Sequence, residues 1–175
     1  RGGHAPLCMT TYVTDLSAVH NPATSTSPPA AYGDAINDNF LSLGEAWIAF
    51  TPTWTASGTA PALGDGTLTG AYKKIGKLLF VRVNLTMGST TTFGTGSYSF
   101  ALPAGVTSAA VRQVGACWGA DVSVPTDYSA TSIVQASATT IIVISSGTAG
   151  GWGQLVPFTW ANGDHINITM AIEIA

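Results

Sequence analysis

Charged residues are scarce in this chain of 175 residues. Only 9% of them are Asp, Glu, Lys or Arg, whereas soluble domains usually carry about 25%. Because charge normally keeps proteins apart in solution, such a chain must stay soluble through hydroxyl groups or cover much of its surface in an assembly. The scarcity favours a structural or binding protein over an enzyme.

Basic residues are few, with six Lys and Arg against nine Asp and Glu and a net charge of −3. Nucleic-acid binding needs clustered cations to neutralise phosphates, so this balance argues against a nucleic-acid partner. Four of the six cations, Lys73, Lys74, Lys77 and Arg82, lie in one predicted hairpin. They form either a patch for an acidic partner or, as we prefer, a set of charged side chains that prevents an exposed strand from pairing edge to edge with another chain.

The chain also lacks a long apolar run and a disulfide framework. No stretch approaches the roughly 20 apolar residues of a membrane span, and no basic segment followed by an apolar one opens the chain. Neither membrane insertion nor export by a standard signal peptide is therefore predicted. Its two cysteines, Cys8 and Cys117, pair only if the N-terminal segment folds back over the core. We expect assembly in a reducing cytosol, or burial of Cys117 as a small apolar residue.

Motifs for catalysis or metal binding are missing as well. The acidic residues are scattered, and Asp65, Asp127 and Asp164 lie near Gly or Pro, where a carboxylate commonly bonds to its own turn. The histidines lack metal-ligand spacing. Asp164 and His165 are adjacent, so a strand would point them to opposite faces. We expect no enzyme, with a polysaccharide depolymerase as the least unfavourable enzyme class, and we expect no metal and no cofactor.

Residues 1–29 are typical of an extended N-terminal arm, because proline and hydroxyl-bearing residues interrupt any period. Residues 30–49 are predicted to form a short helix and linker. Ile36, Phe40, Leu43 and Trp47 recur at spacings of four, three and four, which places them in one apolar stripe. This stripe packs either on the parent domain or on symmetry copies of itself, and the sequence leaves both open.

Residues 50–175 show the period of two that is typical of strands. Apolar and polar residues alternate most clearly in 79–87 and 166–174, and Gly76 is predicted to close a tight hairpin. The predicted fold class is mainly β: an antiparallel β-sandwich, jelly-roll-like, preceded by the arm and the short helix. The other predicted strands lie near 51–57, 66–75, 96–102, 111–120, 130–136, 139–145 and 153–160.

Aromatic residues in the second half of the chain are the better functional lead. Trp118, Tyr128, Trp152 and Trp160 fall near predicted loops or strand ends, and glycines flank Trp152 on both sides. Exposed aromatic faces on β-domains bind sugars, so Trp118, Tyr128 and Trp152 are candidate glycan contacts. The competing interpretation is that these rings belong to the core or to a subunit contact.

Several segments resemble a known family. Residues 19–24 (VHNPAT) and 28–40 (PPAAYGDAINDNF) resemble the attachment opening of tailed-bacteriophage minor structural proteins. Residues 50–58 (FTPTWTASG) and 64–77 (GDGTLTGAYKKIGK) resemble the start of the β-domain of phage capsid-decoration, head-fibre and tail-fibre proteins. Residues 1–8, which precede Met9, depart from that opening and are either a processed remnant or an upstream extension.

The resemblance implies a non-enzymatic, homotrimeric protein of the virion surface, assembled in the host cytoplasm. Its N-terminal region would dock on the phage major capsid protein or on tail proteins, and its β-domain would face outward. The alternative within the same family is a tail fibre or a receptor- or glycan-binding protein that contacts the host surface. The expected particle-anchoring residues are Tyr12, Val13, Leu16, Val19, His20, Asn21 and Pro22.

Overall fold

The computed structural model of the protein describes residues 44–145 and 150–175. The predicted anchoring residues and three of the four stripe residues, Ile36, Phe40 and Leu43, lie outside these ranges. Among the described residues no helix is long and apolar enough to span a membrane. The strands are β1 (Ile48–Phe50), β2 (Trp54–Ala56), β3 (Thr67–Ile75), β4 (Leu78–Thr86), β5 (Tyr98–Ala101), β6 (Gln113–Asp121), β7 (Thr126–Val134), β8 (Thr140–Ile144) and β9 (His165–Glu173).

All nine strands join one antiparallel sheet in the order β1-β3-β4-β9-β6-β7-β8-β5-β2. The mainly β, antiparallel class predicted from the sequence is thereby confirmed for the described residues. The two edge strands, β1 and β2, are consecutive in the chain, with only residues 51–53 between them. The sheet therefore curls until its edges adjoin. Pro52 in this connection is buried, and its missing N–H removes no bond from the ladder.

The inner face of the curled sheet holds the core. β4 and β9 pair over nine residues, and their inward side chains are at most 4% exposed, as the alternation predicted. Fully burying an aliphatic side chain of this size contributes about 1.5–3 kcal/mol. These central inward residues are Leu79, Val81, Val83, Leu85, Ile166, Ile168, Met170 and Ile172.

The hairpin between β3 and β4 has the tight turn predicted from the sequence. Ile75 pairs with Leu78, so the loop contains only two residues. Gly76 has a φ of 58°, in the left-handed region where a side chain would be strained. β1 pairs only with Gly70–Tyr72 of β3, so Lys73 and Lys74 lie beyond the end of β1.

Residues 153–160 do not form the predicted strand. Gly153 and Val156 each donate a backbone N–H to the other's carbonyl at 3.1 Å, which closes a turn instead. Pro157 has no N–H to donate, and the buried Trp160 donates its indole N–H to the carbonyl of Gly153 at 2.9 Å. The indole N–H of Trp160 thus has its hydrogen-bond partner within the segment. The segment therefore packs against the core as a turn and does not pair as a strand.

Trp47 does not lie on a helix, contrary to the prediction for the apolar stripe. Residues 45–47 have no regular structure, and β1 begins at Ile48, two residues before the predicted start of the β-domain. The chain is extended here because Ile48 pairs with Tyr72 in β3, although the spacing of the apolar residues predicted a helix. The Trp47 ring lies over the guanidinium of Arg82 at 4.7 Å, a cation–π contact.

Candidate functional site

The three predicted glycan contacts do not converge on one surface. Trp152 is fully buried, so its prediction as a glycan contact is wrong. Its backbone bonds to Val143 and Tyr98, at 2.8 and 2.7 Å, and its indole N–H donates to the Ser145 hydroxyl. An added Cβ on Gly119 of β6 would lie 2.6 Å from the Trp152 ring. The absence of a side chain at Gly119 therefore leaves room for the indole in the core.

Tyr128 belongs to the same internal group of rings. It pairs with Gly119, which places it on the inner side of β7, and its half-buried ring stacks on Phe158 at 4.7 Å between centroids. Phe158 contacts Trp160 at 4.3 Å, and Trp160 contacts Trp152 at 5.6 Å. This aromatic chain runs from the edge of the fold into the core. It supports the competing interpretation, that most of these rings are packing residues.

Trp118 stands apart on the outer face of the sheet. It follows the buried Cys117 in β6, so the alternation of the strand points it outward, and it is 37% exposed. Burial raises the pKa of the Cys117 thiol to about 12, which makes that thiol inert. The ring of His165, at the start of β9, lies beside the indole at 5.1 Å between centroids.

The register of four strands places Trp118 in a line of polar side chains. Asn84 of β4 pairs with Asn167 of β9, Asn167 with Trp118, and Trp118 with Ser129 of β7. We call these four residues the Trp118 row. The alternation predicted that Asn84 and Asn167 face outward, but their position beside Trp118 was missed, because it depends on pairing between distant strands.

A shallow depression of about 360 Å³ lies over this part of the sheet. Side chains that contribute to its wall are neutral, and no Asp, Glu, Lys or Arg is among them. The lining residues are Ala116, Cys117, Trp118, Ser129, Ala130, Asn167 and Thr169. A site of this kind offers an aromatic surface and hydrogen-bonding groups, and its lining carries no ionic charge to select a charged ligand.

The acidic residues near the turns have structural roles. Asp65 accepts hydrogen bonds from the Ser89 hydroxyl at 2.7 Å and from the Thr90 N–H and hydroxyl at 2.7 and 2.8 Å. These bonds hold the pKa of the Asp65 carboxyl well below its usual range. The carboxylate ties its loop to a second loop, whereas the sequence predicted a bond within its own turn. Asp121 does accept such local bonds, from the Ser123 hydroxyl and from the Val124 N–H. Its pKa is also lowered, mainly by the Ser123 hydroxyl.

Asp164 is a buried carboxylate and accepts two backbone bonds, from Val122 at 2.9 Å and from Ala161 at 2.6 Å. It joins the β6–β7 connection to the segment that leads into β9. Its neighbour His165 lies on the outer face beside Trp118, so the two do not pair, as predicted. Within residues 44–145 and 150–175, no three His, Cys, Asp or Glu residues are grouped so that they could hold a metal ion.

Comparison of the chain with protein-family models, with curated proteins and with solved structures finds no match in any of the three.

Proposed function

We propose that this chain is a non-enzymatic structural protein of a tailed-bacteriophage particle, a capsid-decoration or head-fibre protein that assembles as a homotrimer. In this proposal the N-terminal arm binds the major capsid protein. The β-domain is a jelly-roll-like sandwich and faces outward from the virion. The protein is made in the host cytoplasm and requires no cofactor and no nucleic acid.

An apolar strip on the outer face of the sheet is the observation that carries the assembly part of this proposal. Val114 of β6 pairs with Ile133 of β7, and Ile133 pairs with Ile142 of β8, so the three side chains lie in one outward line. Val114 is 63% exposed, Ile142 is half-buried, and Ile133 between them is buried at 6% exposure. Exposed apolar side chains on a poorly charged protein are typical of a contact between subunits. A second copy of this chain is the occupant that we propose.

The segments that resemble phage proteins support the location. Residues 50–58 and 64–77 resemble the start of the β-domain in phage appendage proteins, and here they contain β2, the whole of β3 and the turn that follows it. The low charge of the whole chain also fits a protein whose flanks are covered by copies of itself.

Two valines of equal exposure provide a test of the strip. Val114 is 63% exposed on the strip, and Val124 is 62% exposed at the tip of the β6–β7 connection. Val114→Asp should convert the assembly to a lower molar mass in light scattering, because it places a charge in the subunit contact. Val124→Asp should leave the mass unchanged. Equal effects of the two changes, or none from Val114→Asp, would refute the strip as the contact.

The location is tested on particles. Antibody raised against residues 46–175 should label virions from a lysed host culture in negative-stain images, and labelling of the head would identify a decoration or head-fibre protein. Deletion of residues 9–30 should abolish attachment, while the remaining chain keeps its strand circular-dichroism spectrum. A deleted chain that still decorates particles would overturn the anchoring role of the arm.

A tail fibre or receptor-binding protein is the alternative within the same class. The same images separate the two, because label at the tail tip would assign the alternative.

A further inference from the structure

Unlike the carboxylates near the turns, the polar side chains of the Trp118 row have no hydrogen-bond partner among the residues that the structure describes. Elsewhere, Asp65 and Asp121 are satisfied by neighbouring hydroxyls and amides. The side chains of Asn84, Asn167 and Ser129 make no hydrogen bond to any residue that the structure describes. Asn167 and Ser129 line the depression, so their donors and acceptors are available to a ligand there, and Asn84 lies beside Asn167 at the next strand.

The Trp118 indole supplies the other half of a recognition surface. Its exposed face lies in the middle of the sheet, between Asn167 on one side and Ser129 on the other. The pairing of β6 with both β7 and β9 fixes the strand beneath it, so a ligand stacked on the ring would order little further structure. An aromatic ring with a rim of hydrogen-bonding groups combines apolar contact with directional bonds.

We propose that the Trp118 row is a binding site for a neutral saccharide. A pyranose ring has an apolar face of C–H groups, which stacks on the indole, and a rim of hydroxyls, each of which donates and accepts. The amides of Asn84 and Asn167 donate two hydrogen bonds each and accept at the oxygen, and the Ser129 hydroxyl does both. The neutral lining favours an uncharged sugar over a uronic acid or a sialic acid.

The size of the depression matches a short ligand. Its volume of about 360 Å³ is near the lower end of ligand pockets, which span about 300–1,000 Å³. One or two sugar units fit this volume, and one stacked ring with a few bonds gives weak affinity. We expect dissociation constants in the millimolar range for single sugars, on the order of 4 kcal/mol of binding free energy.

This inference goes beyond the proposed function, because a structural protein needs no small ligand. It also fails separately: a protein that is monomeric in solution would overturn the assembly and leave the saccharide result unaffected.

The test uses the full chain labelled with ¹⁵N and a panel of methyl α-glucoside, methyl α-galactoside, methyl α-mannoside and N-acetylglucosamine. At least one neutral sugar should shift the Trp118 indole N–H signal, which is assigned by its loss in Trp118→Phe. Glucuronic acid and sialic acid should shift it at least tenfold less at equal concentration. No shift with any neutral sugar, or a preference for the acidic sugars, would overturn the proposal.

Matched variants locate the site. Trp118→Ala should weaken binding at least tenfold, and Asn167→Ala should weaken it severalfold, as followed by saturation-transfer signals of the sugar. Trp47→Ala removes an indole of similar exposure, 41% against 37%, and should leave binding unchanged. Amide spectra that remain dispersed show that each variant is folded. Equal losses in Trp47→Ala and Trp118→Ala would contradict the site.

Discussion

The two faces of β6 are in contact with tryptophans in different environments: one is buried and the other is exposed. On the inner face, Gly119 leaves room for Trp152, which is fully buried and bonded at its backbone and its indole. On the outer face, the adjacent Trp118 keeps more than a third of its surface in solvent beside polar side chains without partners in the described fold. Gly119 and Trp118 are neighbours in β6, but Gly119 faces the core and contacts Trp152, whereas Trp118 faces outward. The face of the sheet on which a tryptophan lies therefore determines its environment, because the residue type is the same in both.

The largest expected difference between the faces is in stability. Trp152→Ala should lower the free energy of unfolding by about 3–5 kcal/mol, because it opens a cavity in the core. Trp118→Ala should lower it by about 1 kcal/mol or less, as surface changes do. Urea denaturation followed by circular dichroism measures both. Similar losses in the two variants would break the distinction between the faces.

Asp164 gives the next largest effect. Asp164→Ala leaves the part-buried amides of Val122 and Ala161 without their acceptor, so it should cost about 1–3 kcal/mol. Asp164→Asn should cost less, since its amide oxygen still accepts one of the two bonds. Asp127→Ala, on the exposed outer side of β7, serves as the control and should have little effect. The same denaturation experiment measures these changes. An unchanged free energy of unfolding in Asp164→Ala would refute the structural role of this carboxylate.

Tyr98 allows a gain on the inner face. Its hydroxyl is buried without a hydrogen-bond partner in the described fold, and burial raises the pKa of that hydroxyl. Tyr98→Phe removes the unsatisfied group and should increase the free energy of unfolding by about 1 kcal/mol. Tyr128→Phe changes a half-buried ring and should leave stability nearly constant. Loss of stability in Tyr98→Phe would show that the hydroxyl is satisfied.

The smallest expected effect is a pH dependence at the exposed loops. The folded state lowers the pKa of Asp65, so its hydrogen bonds contribute stability above the usual carboxyl pKa of about 4, and this contribution is lost as the pH falls below that value. The melting temperature should therefore fall between pH 5 and pH 3, and the fall should be smaller in Asp65→Asn. Asp127→Asn should keep the wild-type slope, because Asp127 makes no hydrogen bond to another described residue.

The sequence was sufficient to predict the central strands. In residues 79–87 and 166–174, aliphatic side chains alternate with polar ones, and this period survives in β4 and β9 because each strand has one buried face. The hairpin at Gly76 was likewise predictable, since its turn is local. Local patterns are informative where the neighbouring residues alone determine the conformation.

The candidate site was only partly predictable for the opposite reason. Trp118 was found by its residue type, but Asn84 and Asn167 became its neighbours only through pairing of strands far apart in the chain. Trp152 was misassigned because flanking glycines were interpreted as an exposed loop. In the fold, Gly119 leaves room for the indole, and Gly151 and Gly153 allow the backbone beside Trp152 to lie close to Val143 and Gly96.

The central claim is that this sparsely charged β-domain functions as a self-assembled structural body, and the molar mass of the full chain in solution tests it most directly. Light scattering on a size-exclusion column should give three times the 17.8 kDa of one chain, unchanged on tenfold dilution. A stable mass of 17.8 kDa at all concentrations would contradict the account.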